Sequence, residues 1–217
     1  GLITSTNVIT NMDYYKDAAI LRKKYPNVSV GLHWTVSCGK PVSNIKNVSS
    51  LVDKNGEFYS PNEFVLRLKQ GKINKDELRE ELNAQYNRFT EVCGKPDYWN
   101  THQNTHVNLY AFDFFLQAGY ELGINKMRYH KKIWINPDDS YKPSLKFRVM
   151  EIAKLAVLKR WKYKMNGLST KSPDGLLAFI NLNETFGFNN FADRVKNNNW
   201  RVGELVIHPA TKIDSVY

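Results

Sequence analysis

Residues 28–36 read Val-Ser-Val-Gly-Leu-His-Trp-Thr-Val, and Ser37 then leads into Cys38-Gly39-Lys40-Pro41. Val28, Val30, Thr35 and Val36 are β-branched, stiff at χ1 and suited to a pleated surface. A Gly-x-Pro sequence cannot continue a ladder, because proline has no N–H to give. The stretch therefore predicts a strand closed by a turn, with His33 on the strand or just past its end. Upstream, Tyr15, Ala18, Ala19 and Leu21 lie near one another on a helix that Asn11 or Asp13 would cap and Pro26 would stop. Before it, residues 1–11 hold Ile3, Thr4, Thr6, Val8, Ile9 and Thr10 and read as a strand with its exit loop. A helix between two strands is the connection that parallel pairing needs.

The same rhythm continues downstream. A polar loop over 42–60 holds the turn Asp53-Lys54-Asn55-Gly56, and 61–69 reads as a short helix. Asn74 or Asp76 opens a stronger helix, with Leu78, Leu82, Gln85, Tyr86 and Phe89 at helical spacing up to Gly94. Residues 98–101 are extended and lead into His102. Residues 109–122 present Phe112, Phe115, Leu116 and Tyr120 on one helical face, with Gly123 as its stop. Then 124–129 is strand-like and 144–163 an amphipathic helix. Residues 176–181, 186–194 and 201–207 read as strand, helix and strand. This alternation predicts an α/β protein with a largely parallel sheet, as a barrel or an open layered form, in a single domain over 1–217. In such barrels the chemistry sits in loops leaving the C-terminal strand ends, where His33, the 102–106 segment and His208 all fall.

Composition narrows the function classes. The formal charge is +10, from 31 Lys plus Arg against 21 Asp plus Glu, with clusters at Arg22-Lys23-Lys24, Lys131-Lys132 and over 154–164. No nucleic-acid module accompanies this charge, so a solvated basic face is favoured over a nucleic-acid partner. Two cysteines, Cys38 and Cys93, allow one disulfide at most, and free thiols suit a domain of this length. Sequons at Asn27, Asn47 and Asn183 matter only in a secreted protein. No run of about 20 apolar residues exists, so no membrane span is expected, and the cytoplasm is the default compartment. Trp34, Trp99, Trp134, Trp161 and Trp200 suit either a core or the flat faces of sugars. Glycine-rich nucleotide loops and serine elbows are absent.

Five histidines remain: His33, His102, His106, His130 and His208. Imidazole is the side chain best suited to ligate a borderline metal or to move protons near neutral pH. His102 and His106 are four apart, which puts both on one face if the segment is helical. Spacing alone leaves metal or catalytic work and simple packing equally open. His208-Pro209 closes its strand and leaves His208 at the strand end. Among the acids near these loops (Asp13, Asp17, Asp97, Asp174), none has a spacing that marks it as a ligand.

Four segments together resemble a known family. They are Thr4-Ser5-Thr6-Asn7 with Asn11-Met12; Val30-Gly31-Leu32-His33-Trp34-Thr35-Val36 with Gly39-Lys40-Pro41; Glu81, Gln85, Phe89, Gly94 and Pro96 leading into Asn100-Thr101-His102-Gln103-Asn104-Thr105-His106; and Gly203-Glu204-Leu205-Val206-Ile207-His208-Pro209. In this order they resemble the YdjC-like, or ChbG-family, carbohydrate (chitooligosaccharide) deacetylases. The resemblance implies an irregular TIM-type β/α barrel that removes acetyl groups from N-acetylated sugars with a divalent metal, Mg or Zn. It implies His33 and His102 as metal ligands, His208 as the catalytic histidine in proton transfer, and His106 and Arg128 as substrate-binding pocket residues. It admits a homodimer.

Two departures qualify it. The family's first strand ends in an Asp-Asp pair, and nothing of that kind precedes Gly1, so the first strand is expected to be missing from this chain. Asn100 and Asn104 stand where the family motif has Asp and His. An amide carries no charge to hold a cation or to orient an imidazolium. The alternative expectation is therefore a degenerate member that binds a sugar without cleaving it.

Overall fold

The computed structural model describes residues 3–129, 132–135, 145–179, 196–197 and 199–207. The chain forms two compact units, Gly1–Arg128 with Lys164–Lys171, and Tyr129–Tyr163 with Ser172–Tyr217.

In the first unit, β1 (Ser5–Val8), β2 (Ser29–Trp34) and β3 (Trp99–Thr101) form a parallel sheet in the order β1-β2-β3. Asn7 lies opposite Gly31, and His33 lies opposite Asn100. Side chains alternate across a strand, so Val30, Leu32 and Trp34 share one face and His33 takes the other. Residues 124–129 do not form the full strand expected of them. Single parallel bridges carry the ladder on, from Trp99 to Met127 and from Lys126 to Lys171. β3 is only three residues long, and Pro173, just beyond Lys171, has no N–H to extend the rung on that side.

Helices α1 (Ala18–Lys24), α2 (Pro61–Lys69), α3 (Lys75–Cys93) and α4 (Phe112–Glu121) belong to this unit. Asn74 caps α3 by accepting from the Asp76 N–H at 2.9 Å, and Gly94 ends it at φ +66°. Its buried stripe is Leu78, Leu82 and Phe89, interrupted by the equally buried Glu81 and Gln85. The expected caps of the first helix do not form. Asp13–Asp17 is a 3₁₀ segment without a side-chain cap, and the Asn11 amide instead donates to the Cys38 and Lys40 carbonyls at 2.9 and 3.0 Å.

Trp34 and Trp99 are fully buried with ring centroids 5.1 Å apart, and the Trp34 Nε1–H donates to the Leu82 carbonyl. Trp161 and Trp200 are also buried, so these four tryptophans are packing residues. Among the described residues, Gly31, Gly119 and Gly175 each leave room for an aromatic ring, the last for Trp200. A Cβ on Gly31 would fall closer than 3.0 Å to the Tyr98 ring, whose hydroxyl donates to the Thr6 carbonyl. A Cβ on Gly119 would meet the Trp99 indole just as closely. Cys38 and Cys93 are free thiols.

The second unit holds a parallel sheet of β4 (Lys132–Ile135), β5 (Gly175–Phe179) and β6 (Gly203–Leu205), in that order. β5 begins one residue before the strand expected near 176–181, and β6 falls within the one expected at 201–207. β4 was not expected, because three apolar residues after Lys131-Lys132 give too short an alternation to read. Helix α5 (Leu145–Gly167) runs four residues beyond the expected end at Tyr163. It exposes Leu145, Val149, Ile152 and Leu155. The Asp174 carboxylate accepts from the Arg201 and Val202 N–H groups, which ties the start of β5 to the start of β6. The helix expected at 186–194 lies outside the described residues. Among the described residues, no helix is long and apolar enough to cross a membrane.

Gly119→Ala tests this packing. Alanine is the better helix former by about 1 kcal/mol, yet forcing a methyl against the Trp99 indole should cost about 1–3 kcal/mol before that gain, and the closeness of the clash puts it toward the upper end, about 2 kcal/mol net. Urea denaturation should show a lower midpoint. A midpoint at or above that of the unsubstituted protein would mean that the close approach is not enforced.

Candidate functional site

The site is built where β2 and β3 end side by side. His33 stands one residue before the end of β2, half-buried, and its Nδ1 lies 2.5 Å from Asn100 Oδ1 on β3. An amide oxygen only accepts, so this contact puts the proton on Nδ1 and leaves the lone pair on Nε2. That is the tautomer a ligand or a proton acceptor needs. Asn100 is wholly buried, and its Nδ2 has no hydrogen-bond partner among the described residues. The same is true of Asn7 Oδ1 on β1, whose backbone pairs with Gly31.

His102 follows β3 directly. Its ring lies 5.6 Å from that of His33, centroid to centroid, and the planes cross at 77°. Two imidazoles distant in sequence thus share one end of one sheet. After His102 the backbone turns sharply, with Gln103 at φ +50° and Asn104 at φ +56°. Non-glycine residues occupy this left-handed region only where their surroundings compel it.

His106 is 1% exposed. Its ring packs edge-on to Trp99 at 5.4 Å, its Nδ1 lies 2.7 Å from Thr101 Oγ1, and its backbone N–H donates to the same oxygen. Burial, then the neighbouring Arg128 charge and, least, His33, hold its pKa down to about 3 against the opposing pull of a hydrogen bond with the Arg128 backbone. At neutral pH this imidazole carries no charge. Arg128 is itself buried, and its N–H donates to the Trp99 carbonyl at 3.2 Å. The structure thus brings His33, His102, His106 and Arg128 into one region of the first unit. His208 and His130 lie outside the described residues.

The described residues contain no group of three His, Cys, Asp or Glu side chains that could hold a metal ion. Asp97 is committed elsewhere, accepting from Arg22 at 3.0 Å and from the Val30 N–H at 2.7 Å. Asp174 is occupied in the second unit. Two imidazoles, one of them fixed in the ligating tautomer, fit part of a divalent-metal site and supply no carboxylate to it.

Some residues of this region were not assigned a role from the sequence. Glu81 accepts from the Val42 and Ser43 N–H groups, each at 2.9 Å, and from Gln85 Nε2 at 2.7 Å. Gln85 also accepts from the Thr35 N–H at 2.9 Å and donates to the Thr35 carbonyl at 2.7 Å. Ser37, 7% exposed, donates to Gln103 Oε1 at 3.1 Å. The available signal was the pair of polar residues four apart inside an otherwise apolar helical stripe, since buried polar groups are held by partners.

A family model described as "YdjC-like protein" matches residues 1–216. The chain belongs to the YdjC-like family. This YdjC-like chain is 36% identical over 109 residues to a chitooligosaccharide deacetylase of Proteus mirabilis, covering 49% of this chain and 40% of that protein. It is 32% identical over 130 residues to a carbohydrate deacetylase of Geobacillus stearothermophilus, covering 59% and 50%. A carbohydrate deacetylase of Danio rerio is 35% identical over 129 residues, covering 59% and 41%. The matches thus span half or less of each relative's own length. A crystal structure of an Enterococcus faecalis protein named for cellobiose-phosphate cleavage superposes with a TM-score of 0.71 at 22% identity, covering 99% of this chain and 73% of that one. That likeness supports the α/β fold.

His106 sets a pH dependence. Its pKa falls from an ordinary 6.5 to about 3 on folding, so between these values the unfolded chain binds a proton that the folded chain does not. Its contribution to stability is therefore complete above pH 6.5 and is lost as pH falls, by about 2 kcal/mol between pH 6.5 and 5. Urea midpoints measured across this window should fall with acid, and His106→Gln should flatten the slope. An equal slope in both proteins would contradict the assignment.

Proposed function

We propose that this YdjC-like protein is a metal-dependent hydrolase that removes acetyl groups from N-acetylated sugars or chitooligosaccharides. The observation that carries the proposal is the approach of the His33 and His102 rings at the ends of adjacent parallel strands, with His33 held by Asn100. The names of the relatives support the substrate class.

In this reading His33 and His102 hold a divalent cation, Mg²⁺ or Zn²⁺, through their imidazole nitrogens. A bound divalent cation supplies Lewis-acid polarisation of the acetyl carbonyl and a more acidic water. Asn100 keeps His33 in the ligating tautomer. Arg128 and His106 serve the substrate side of the pocket. His106, buried and neutral, acts there through Thr101 and Trp99 and does not exchange protons. Hydrolysis adds water to the acetyl carbon, breaks the C–N bond and releases acetate. The departing amine takes its proton from His208, a role that rests on the family resemblance.

The second reading, a sugar-binding member without hydrolysis, draws on a specific observation. The partner of His33 is a neutral amide, and no carboxylate joins the two imidazoles among the described residues. Acetate release separates the two. Chitooligosaccharides incubated with the protein and Mg²⁺ or Zn²⁺ should yield acetate, and His33→Ala should abolish it. Saturable sugar binding with no acetate under any of these metals would establish the second reading instead. Asn100→Asp should tighten Zn²⁺ binding about tenfold, because a carboxylate behind a ligating imidazole raises its basicity. Unchanged affinity in calorimetry would count against His33 as a ligand.

A further inference from the structure

Residues 35–43 leave β2 without joining any ladder, yet side chains from elsewhere hold both ends and the middle. Gln85 takes both the N–H and the carbonyl of Thr35. Asn11 takes the carbonyls of Cys38 and Lys40. Glu81 takes the N–H groups of Val42 and Ser43. Glu81 and Gln85 are wholly buried and bonded to each other, so this anchorage is shielded from competing water.

The loop held in this way presents the Ser37 hydroxyl to Gln103 Oε1 at 3.1 Å. Gln103 immediately follows His102 and is the first of two consecutive non-glycine residues at positive φ. Local backbone bonds, from Thr105 N–H to the His102 carbonyl and from Val107 N–H to the Asn104 carbonyl, close the turn without gripping the Gln103 side chain. A left-handed glutamine is costly and persists only where something over-determines it. Ser37 supplies the side-chain grip from a loop that is itself held at both ends.

We propose that Ser37 is a positioning residue for His102, acting through Gln103 and anchored by Gln85, Asn11 and Glu81. The inference rests on the reading of His33 and His102 as a ligand pair, and it adds what keeps their rings in register. Removing the hydroxyl lets Gln103 relax toward ordinary φ and turns the His102 ring away from His33.

Four proteins test it: the unsubstituted chain, Ser37→Ala, Ser37→Thr and Gln103→Gly. Histidine ring shifts in ¹H–¹³C spectra, Co²⁺ affinity by calorimetry, thermal midpoint, and kcat with KM for acetate release are read on each. Ser37→Ala should displace the His102 ring signals, weaken Co²⁺ binding about tenfold and lower kcat about tenfold at unchanged KM. Ser37→Thr, which keeps the hydroxyl, should restore all three. Gln103→Gly removes the backbone strain together with the grip, so its midpoint should hold or rise while Co²⁺ affinity falls. A purely structural role predicts the reverse pairing, with stability lost and affinity kept. Wild-type ring shifts in Ser37→Ala, or no rescue by threonine, would overturn the proposal. If the unsubstituted protein neither binds Co²⁺ nor releases acetate, the deacetylase reading fails, and the ring shifts still decide the role of Ser37.

Discussion

The parallel register between β2 and β3 governs the rest of the structure. His33 opposite Asn100 and Trp34 opposite Thr101 are consecutive rungs of one short ladder. Because side chains alternate along a strand, this pairing sends Leu32 and Trp34 to the face that packs on α3 and α4, and His33 with Asn100 to the other. A slip of one residue would bring His33 onto the core face and put Trp34 in its place. The burial of Trp34 against Trp99 and Phe115 makes that slip expensive. The hydrophobic core therefore fixes where His33 and Asn100 stand by fixing a register.

Around that ladder the protein holds its loops with buried polar side chains. Glu81 and Gln85 occupy positions where leucine would complete the apolar stripe of α3. Instead they satisfy four backbone polar groups of a segment that has no strand to pair with, and unpaired backbone in such a place would be costly. Asn11 and Asp97 do similar work, at residues 38 and 40 and at the Val30 N–H. Thr101 ties His106 beneath the turn that carries His102. These bonds hold the edge of the sheet at which the His33 and His102 rings meet.

Much of this was legible in the sequence. The β-branched run at 28–36 and the apolar spacing at 78–89 located β2 and α3, and the end of a strand was the correct place to look for His33. Helix α2 was read with its bounds unchanged, because Pro61 marks the first turn of a helix so clearly. What could not be read shares a physical origin. Whether Asn11 caps a helix or crosses to a distant carbonyl depends on tertiary placement, and both uses suit an asparagine. The interruption of the α3 stripe by Glu81 and Gln85 was visible, but their partners are backbone groups, which carry no residue-specific signal. β4 follows a lysine pair and is too short to show alternation. The choice between core and sugar platform for Trp34, Trp99, Trp161 and Trp200 was settled only by burial.

In the proposed function, His33 and His102 act together on one divalent ion. X-ray absorption at the zinc edge, on protein loaded with one equivalent of Zn²⁺, tests it most directly. Two imidazole scatterers are expected at about 2.0–2.1 Å, falling to one in His102→Ala. A zinc environment with no histidine scattering, or one unchanged by that substitution, would contradict it.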